Sequence, residues 1–178
     1  MRIIGGKAAG LRLNPPQNLP VRPTTDLAKE ALFNILNNKL DFDDLDCLDL
    51  FAGTGNISFE LASRGVKSVD AIDLHGKCVM YITDTAKKLD LPQIKARKAD
   101  VFKFIKSAKG AYDLIFADPP YDIGQLPMLP TYVFENNLLN SGGLLIVEHP
   151  TSRKMAAHPN FVEQRQYGNS SFSFYSLV

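Results

Sequence analysis

A chain of 178 residues that is 45% hydrophobic and 22% charged fits one domain with a core of its own and excludes a disordered or fibrous polymer. The two cysteines, Cys47 and Cys78, lie in apolar-rich segments, which excludes a disulfide framework and a zinc site; without a long apolar run or a leader, a soluble cytoplasmic protein with no membrane contact is expected. The net charge of +1 is unevenly spread, because residues 1–40 carry six basic and two acidic side chains, net +4, and leave −3 for the rest, the footprint of a local polyanion contact.

In chain order, Arg2-Ile3-Ile4-Gly5-Gly6-Lys7 and Gly10-Leu11-Arg12-Leu13 read as a small hairpin. Pro20, Pro23 and a Thr24-Thr25-Asp26 cap lead into a helix over 27–40, with Leu27, Ala31, Leu32, Ile35 and Leu36 on one face. A strand at 47–51 precedes a helix at 56–65, in which Ile57 and Leu61 stand at helical spacing and Gly65 ends the run. A strand at 68–73, a helix at 77–89, a strand at 94–99 and a short helix at 101–108 follow. The segment 112–117 is the clearest buried strand. A helix from about Pro130 to Leu139 comes next, and Ser141-Gly142-Gly143 separates it from a strand at 144–149. Alternation of this kind predicts a parallel sheet covered by helices on both faces. Residues 161–168 and 171–178 form an antiparallel closing pair around Gly168-Asn169.

Open α/β sheets bind ligands beyond the carboxyl ends of their strands. Asp49-Leu50-Phe51-Ala52-Gly53-Thr54-Gly55-Asn56 occupies such a corner, where the first strand turns into the first helix of the alternating region. Asp73 ends the next strand, placed to accept from two ribose hydroxyls. A dinucleotide fingerprint requires a third small residue where Ser58 stands, and Gly5-Gly6-Lys7 lacks the first glycine of a phosphate-binding loop. The acidic Asp49 suits a ligand with a cationic amino acid end, and S-adenosylmethionine has that end, a ribose for Asp73 and an adenine for Asp100. The candidate cofactor contacts are Asp49, Phe51, Ala52, Gly53, Thr54, Gly55, Asn56, Asp73, Leu74, Asp100 and Val101.

A second signal follows the 112–117 strand. In Asp118-Pro119-Pro120-Tyr121 the prolines remove ladder donors and hold Asp118 and Pro119 extended. The Asp118 carboxylate and the Pro119 carbonyl can then converge on one planar NH2 group. An aromatic amine is a poor nucleophile because its lone pair is delocalised; accepting both N–H bonds from fixed positions favours a pyramidal nitrogen. Tyr121 is placed to stack on a base that has left its helix or loop. Catalysis would rest mostly on orientation. His75, His149 and His158 are not spaced as ligands or as a triad, and His75 suits a cap or the surface. Cys78 reads as an apolar filler, and Phe172, Phe174 and Tyr175 as sheet core.

The glycine turn followed by Asp-Pro-Pro-Tyr resembles the methyltransferases that act on exocyclic amines of bases. The opening is more specific. Arg2-Ile3-Ile4-Gly5-Gly6-Lys7, Gly10-Leu11, Arg22-Pro23-Thr24-Thr25-Asp26 and Lys29-Glu30-Ala31-Leu32-Phe33-Asn34 resemble the bacterial 16S ribosomal RNA guanine-N2 methyltransferase family that modifies guanine 966. The resemblance spans residues 2 to about 150. It implies a class I methyltransferase, Rossmann-like and mostly parallel, with a seven-stranded sheet and an antiparallel last strand. It implies S-adenosylmethionine as donor and guanine N2 as acceptor, in RNA of the small subunit or an assembly intermediate. Cofactor contacts carry over onto Gly53, Gly55 and Asp73, and catalysis onto Asp118, Pro119 and Tyr121, with Pro120 completing the motif. On this reading residues 1–178 form a single methyltransferase domain, with an RNA-contacting extension and helix at 1–40 and a catalytic core at 41–178. Arg2, Lys7, Arg12, Arg22 and Thr24 are the candidate RNA contacts, and a monomer without a metal is expected. The family often has Glu at position 73, an acidic residue at 75 and a small residue at 56, where this chain has Asp73, His75 and Asn56. The alternatives are an adenine-N6 methyltransferase on DNA or RNA, and a non-catalytic RNA-binding module of ribosome assembly.

Overall fold

A computed structural model describes residues 1–21 and 24–178. The hairpin at the front is held by one antiparallel bridge, Arg2 to Arg12, and by backbone bonds from Ile3 N to Leu11 O and from Leu13 N to Met1 O. Helix α1 (Asp26–Lys39) starts where Thr25 Oγ1 accepts from the Ala28 N–H at 3.2 Å, a cap that contributes about 1 kcal/mol. Its buried face is Ala28, Lys29, Leu32, Phe33 and Leu36, whereas Leu27 is 77% exposed. The expected face is therefore rotated. A count of apolar residues assigns Lys29 to solvent, but the helix buries it and turns Leu27 outward.

Strands β1 (Asp46–Leu50), β2 (Ser68–Asp73), β3 (Ile94–Lys98) and β4 (Tyr112–Ala117) alternate with helices α2 (Asn56–Ser63), α3 (Gly76–Lys88) and α4 (Val101–Ser107). After a short 3-10 turn come α5 (Leu129–Glu135), β5 (Leu139–Pro150), β6 (Phe161–Tyr167) and β7 (Ser170–Ser176). The helix expected to reach Leu139 thus stops at Glu135. Asn137 takes a left-handed φ of 54° and Leu138 N bonds back to Val133 O, which ends the helix. Ser141-Gly142-Gly143 lies inside β5 instead of before it: Gly142 N donates to Leu177 O, and the β4–β5 register shifts between Tyr112 and Leu114.

The seven strands run in the order β3-β2-β1-β4-β5-β7-β6; β7 is antiparallel to both neighbours. This is the α/β sheet that the resemblance implies. Alternate residues of the central strands feed two cores, because successive side chains leave a strand on opposite faces. Cys47, Leu114, Phe116, Leu144 and Ile146 pack with Leu32 and Phe33 of α1, Ile57 and Phe59 of α2, and Phe172 and Phe174 of β7. Leu48, Leu50, Ile115, Ala117, Leu145 and Val147 pack on the other face with Val101 and Ile105 of α4 and with Leu129 and Val133 of α5. The order reverses between β1 and β4, which both point their carboxyl ends at one cavity.

Candidate active site

The cavity has a volume of about 820 Å³, ample for a nucleoside-sized ligand. Beyond Leu50 the chain turns through Phe51, Gly53 and Gly55, all at positive φ (59°, 58° and 82°). A Cβ on Gly55 would come within 2.9 Å of both Ile82 Cγ1 and Phe59 Cε2, and one on Gly53 within 3.1 Å of Val21 Cγ1. Glycine is required here both for the backbone conformation and for the space. Phe51 has no such freedom and carries local strain of about 1 kcal/mol, a feature typical of ligand corners. Its ring meets that of Phe102 edge-on at 6.0 Å, giving the cavity an aromatic wall.

Asp73 organises the turn. Its Oδ2 accepts from the Gly53 N–H at 2.8 Å, and its Oδ1 accepts from the His75 N–H at 2.9 Å and faces His75 Nδ1 at 3.1 Å. His75 is the residue preceding α3 and half-exposed, a cap position as expected. Asp73, His75 and Cys78 bring potential ligand atoms within 4.8 Å of one another, yet the carboxylate is engaged by the backbone, and burial with the Asp73 charge pushes the Cys78 thiol up to about 11. Asp49 on β1 is 2% exposed and lines the cavity; Ser58 Oγ donates to its Oδ2 at 2.6 Å. Burial pushes its carboxyl up to about 7, against the pull of the Ser58 hydrogen bonds and with help from the Asp73 charge. Asp100 precedes α4 and caps it, Oδ1 accepting from the Lys103 N–H at 3.0 Å.

Asp118, Pro119, Pro120 and Tyr121 line the same cavity at the end of β4. The Asp118 N–H reaches Leu50 O at 3.4 Å, which ties this loop to the glycine corner. Pro119 is buried and Pro120 exposed. Arg153 donates to the Tyr121 carbonyl at 2.7 Å and to the Gly124 carbonyl at 3.4 Å, while the Tyr121 hydroxyl shares a 2.7 Å hydrogen bond with Ser170 Oγ. The loop is thereby fixed by two residues from outside its motif.

A buried polar network joins the N-terminal segment to the cavity. Lys29 and Glu60 are both 0% exposed and lie 3.4 Å apart. Glu60 also accepts from the N–H groups of Ile4 and Gly5 at 2.9 and 2.8 Å and from Arg64 Nε at 2.9 Å. Lys29 donates to the Arg2 carbonyl and, at 2.8 Å, to Asn56 Oδ1, and Asn56 Nδ2 donates to Thr24 O at 3.1 Å. Burial holds the Lys29 ammonium below its usual range against the opposing pull of Glu60. Asn56, expected in the cofactor pocket, lines the cavity and also positions Thr24.

Of the expected cofactor contacts, Asp49, Phe51, Ala52, Gly53, Thr54, Asn56, Asp73, Leu74, Asp100 and Val101 line the cavity, and Gly55 shapes the turn behind it. Thr24 lines it too, and Arg22 lies outside the described residues. Among the described residues the basic side chains meet different partners. Arg2 lies 3.8 Å from Asp26 at the start of α1, opposite Arg12. Lys7 instead packs at the far end of α2, where its N–H bonds Ser63 O and its ammonium meets Asp90. Sequence reasoning missed Lys29, Glu60, Glu148 and Arg153, whose partners are remote in the chain, and Phe102, whose aromatic character beside Val101 was a usable signal.

Residues 1–176 match the model of the family described as Conserved hypothetical protein 95. A Buchnera aphidicola protein called ribosomal RNA small subunit methyltransferase D is 29% identical over 90% of this chain and 82% of its own length. A Bacillus subtilis protein called putative rRNA methyltransferase YlbH is 32% identical over 84% and 82%. The solved structure of the putative methyltransferase yhhF from Escherichia coli superposes with a TM-score of 0.84 at 26% identity, covering 98% of this chain and 96% of that one. The sheet is that of the class I methyltransferases, and the chain belongs to the Conserved hypothetical protein 95 family, which includes the small-subunit ribosomal RNA methyltransferase D proteins.

Proposed function

We propose that the protein methylates the exocyclic N2 of a guanine, position 966, in 16S ribosomal RNA, using S-adenosylmethionine. The observation that carries this reading is the meeting, in one cavity, of the Asp49–Gly53–Asp73 corner with the Asp118–Tyr121 loop. The corner fits the cofactor chemically. A buried carboxylate whose ionisation is opposed by burial gains most from an arriving cation, so Asp49 accepts the cofactor's ammonium. Asp73 retains lone pairs for ribose hydroxyls beside its backbone bonds, and Phe51 and Phe102 supply an apolar wall for adenine, with Asp100 at its edge.

When bound, S-adenosylmethionine supplies an electrophilic methyl group on a sulfonium that becomes neutral as the methyl leaves. The chain's residues prepare the acceptor. The Asp118 carboxylate and the Pro119 carbonyl accept the two N–H bonds of the guanine amine, and Tyr121 stacks on the base. Arg153 and Ser170 keep that loop in place, so the main contribution is orientation. The positive charge that develops on nitrogen is met by Asp118, which accepts the departing proton. Residues 1–40 serve as the RNA-contacting extension of the catalytic core at 41–178, with Arg2 and Arg12 on phosphates and Thr24 at the cavity. The substrate is RNA in the small subunit or its assembly intermediate, met by a cytoplasmic monomer.

The test is Asp118→Ala. Transfer to unmethylated small subunits should fall at least about a hundredfold, roughly 3 kcal/mol of transition-state stabilisation, with cofactor affinity retained. Normal turnover with weakened cofactor binding would remove Asp118 from the acceptor site.

A further inference from the structure

Beyond the Asp-Pro-Pro-Tyr loop, the cavity is lined by Thr24, whose hydroxyl is engaged by a buried carboxylate. Thr24 Oγ1 lies 3.2 and 3.1 Å from the two oxygens of Glu148, which is 2% exposed at the end of β5. A carboxylate only accepts hydrogen bonds, so the hydrogen in this contact is the threonine's. With its one hydrogen committed to Glu148, the Thr24 hydroxyl has only lone pairs left to offer a ligand in the cavity that Thr24 lines. The residue cannot swing away easily. Lys29 has only donors to offer, which makes Asn56 Oδ1 the acceptor and Asn56 Nδ2 the donor that holds the Thr24 carbonyl.

The place of this acceptor is equally informative. Ala117, the last residue of β4, stands in register with Val147 of β5, so Glu148 is the next residue along β5 where Asp118 leaves the end of β4. Adjacent strands are about 4.8 Å apart. The Thr24 hydroxyl, held on Glu148, therefore shares the cavity with the loop that receives the amine, one strand away from it. Guanine has the matching edge, since its N1–H donor is bonded to the same carbon as the N2 amine. Adenine and 2-aminopurine carry an unprotonated, accepting N1 instead. We infer that Glu148 is a positioning residue that locks Thr24 as an acceptor for the guanine N1–H and so makes the site reject purines with an accepting N1. The inference rests on the guanine-N2 reading and adds to it the device that selects the base.

2-Aminopurine is the discriminating probe, because it keeps the N2 amine and lacks the N1–H. Transfer rates are compared on small subunits carrying guanine or 2-aminopurine at the target position, for the wild type, Thr24→Val, Thr24→Ser and Glu148→Gln. The ratio of the two rates within one protein cancels differences in folding and cofactor affinity. The wild type should favour guanine at least about a hundredfold, since a buried acceptor facing an accepting N1 goes unpaired. Thr24→Val should lower that ratio at least tenfold and Thr24→Ser should restore it. Glu148→Gln should lower it likewise, because the glutamine amide can donate to Thr24 and release its hydrogen toward the base. Equal losses on both substrates, with the ratio unchanged in Thr24→Val or Glu148→Gln, would overturn the inference and leave the pair a structural contact. A wild-type product other than N2-methylguanosine would overturn the parent reading and this one with it.

Discussion

Two buried carboxylates near α2, Glu60 and Asp49, show how the same chemical group is enclosed by partners in one place and opened to a cavity in another. Glu60 is enclosed by the ammonium of Lys29, the guanidinium of Arg64 and two backbone N–H groups. Asp49 is almost as deeply buried, but Ser58 is its hydrogen-bond partner and no ion pair among the described residues includes it. Glu60 faces protein on every side; Asp49 faces the cavity. A buried charge with its partners in place holds elements together, whereas a buried carboxylate that opens on a cavity and belongs to no ion pair is a candidate for binding a ligand's cation.

The contrast can be broken most forcefully at Glu60. Glu60→Ala leaves the Lys29 ammonium buried without its charge partner and should cost about 3–5 kcal/mol in denaturant unfolding. The pair Lys29→Met with Glu60→Leu, which removes both charges, should recover part of that loss. A single-variant cost no larger than that of a surface pair would show that the N-terminal segment is held by apolar packing alone.

Asp49 should behave in the opposite sense. Its carboxyl, pushed up to about 7 in the folded chain, has an unfolded value near 4. The folded state therefore binds the proton more tightly, and the stability this contributes is complete below about pH 4 and lost as pH rises through about 7. Without cofactor, the wild type should lose on the order of 2 kcal/mol more than Asp49→Asn between pH 5 and pH 8. The same substitution should weaken cofactor binding about tenfold or more while leaving the fold intact. Parallel pH profiles for the two proteins would place Asp49 with Glu60 as a satisfied structural carboxylate.

The smallest effect concerns the basic arm, where Arg2 and Lys7 pack beside different elements. Neutralising Arg2 and Arg12 together should lower RNA affinity a few-fold and reduce the slope of log K against log salt by about 1.5. Lys7, which lies at the other end of α2 beside Asp90, away from the Thr24 side of the cavity, should leave the slope unchanged when neutralised. A Lys7 effect equal to that of Arg2 would restore a single extended patch.

The central sheet was legible because its strands are short apolar runs bounded by turn residues, and both faces are covered. The glycine corner and the Asp118 loop were legible because each is contiguous in the chain and lies where a strand ends. The buried face of α1 was not, because Lys29 belongs to it through partners remote in the chain, Glu60, Asn56 and the Arg2 carbonyl. The Thr24–Glu148 contact spans 124 positions and leaves no local pattern. The overextended helix before β5 reflects a similar limit. Leu138 and Leu139 suit a helix or a strand equally, and only the left-handed Asn137 and the pairing of Gly142 with Leu177 decide between them.

The most direct measurement is transfer of labelled methyl from S-adenosylmethionine to unmethylated small ribosomal subunits, with digestion of the RNA and identification of the modified nucleoside. N2-methylguanosine, formed by the wild type and lost in Asp118→Ala, is the expected result. N6-methyladenosine, or no methylated nucleoside from a protein that binds the cofactor, would contradict the assignment of this cavity to a guanine amine.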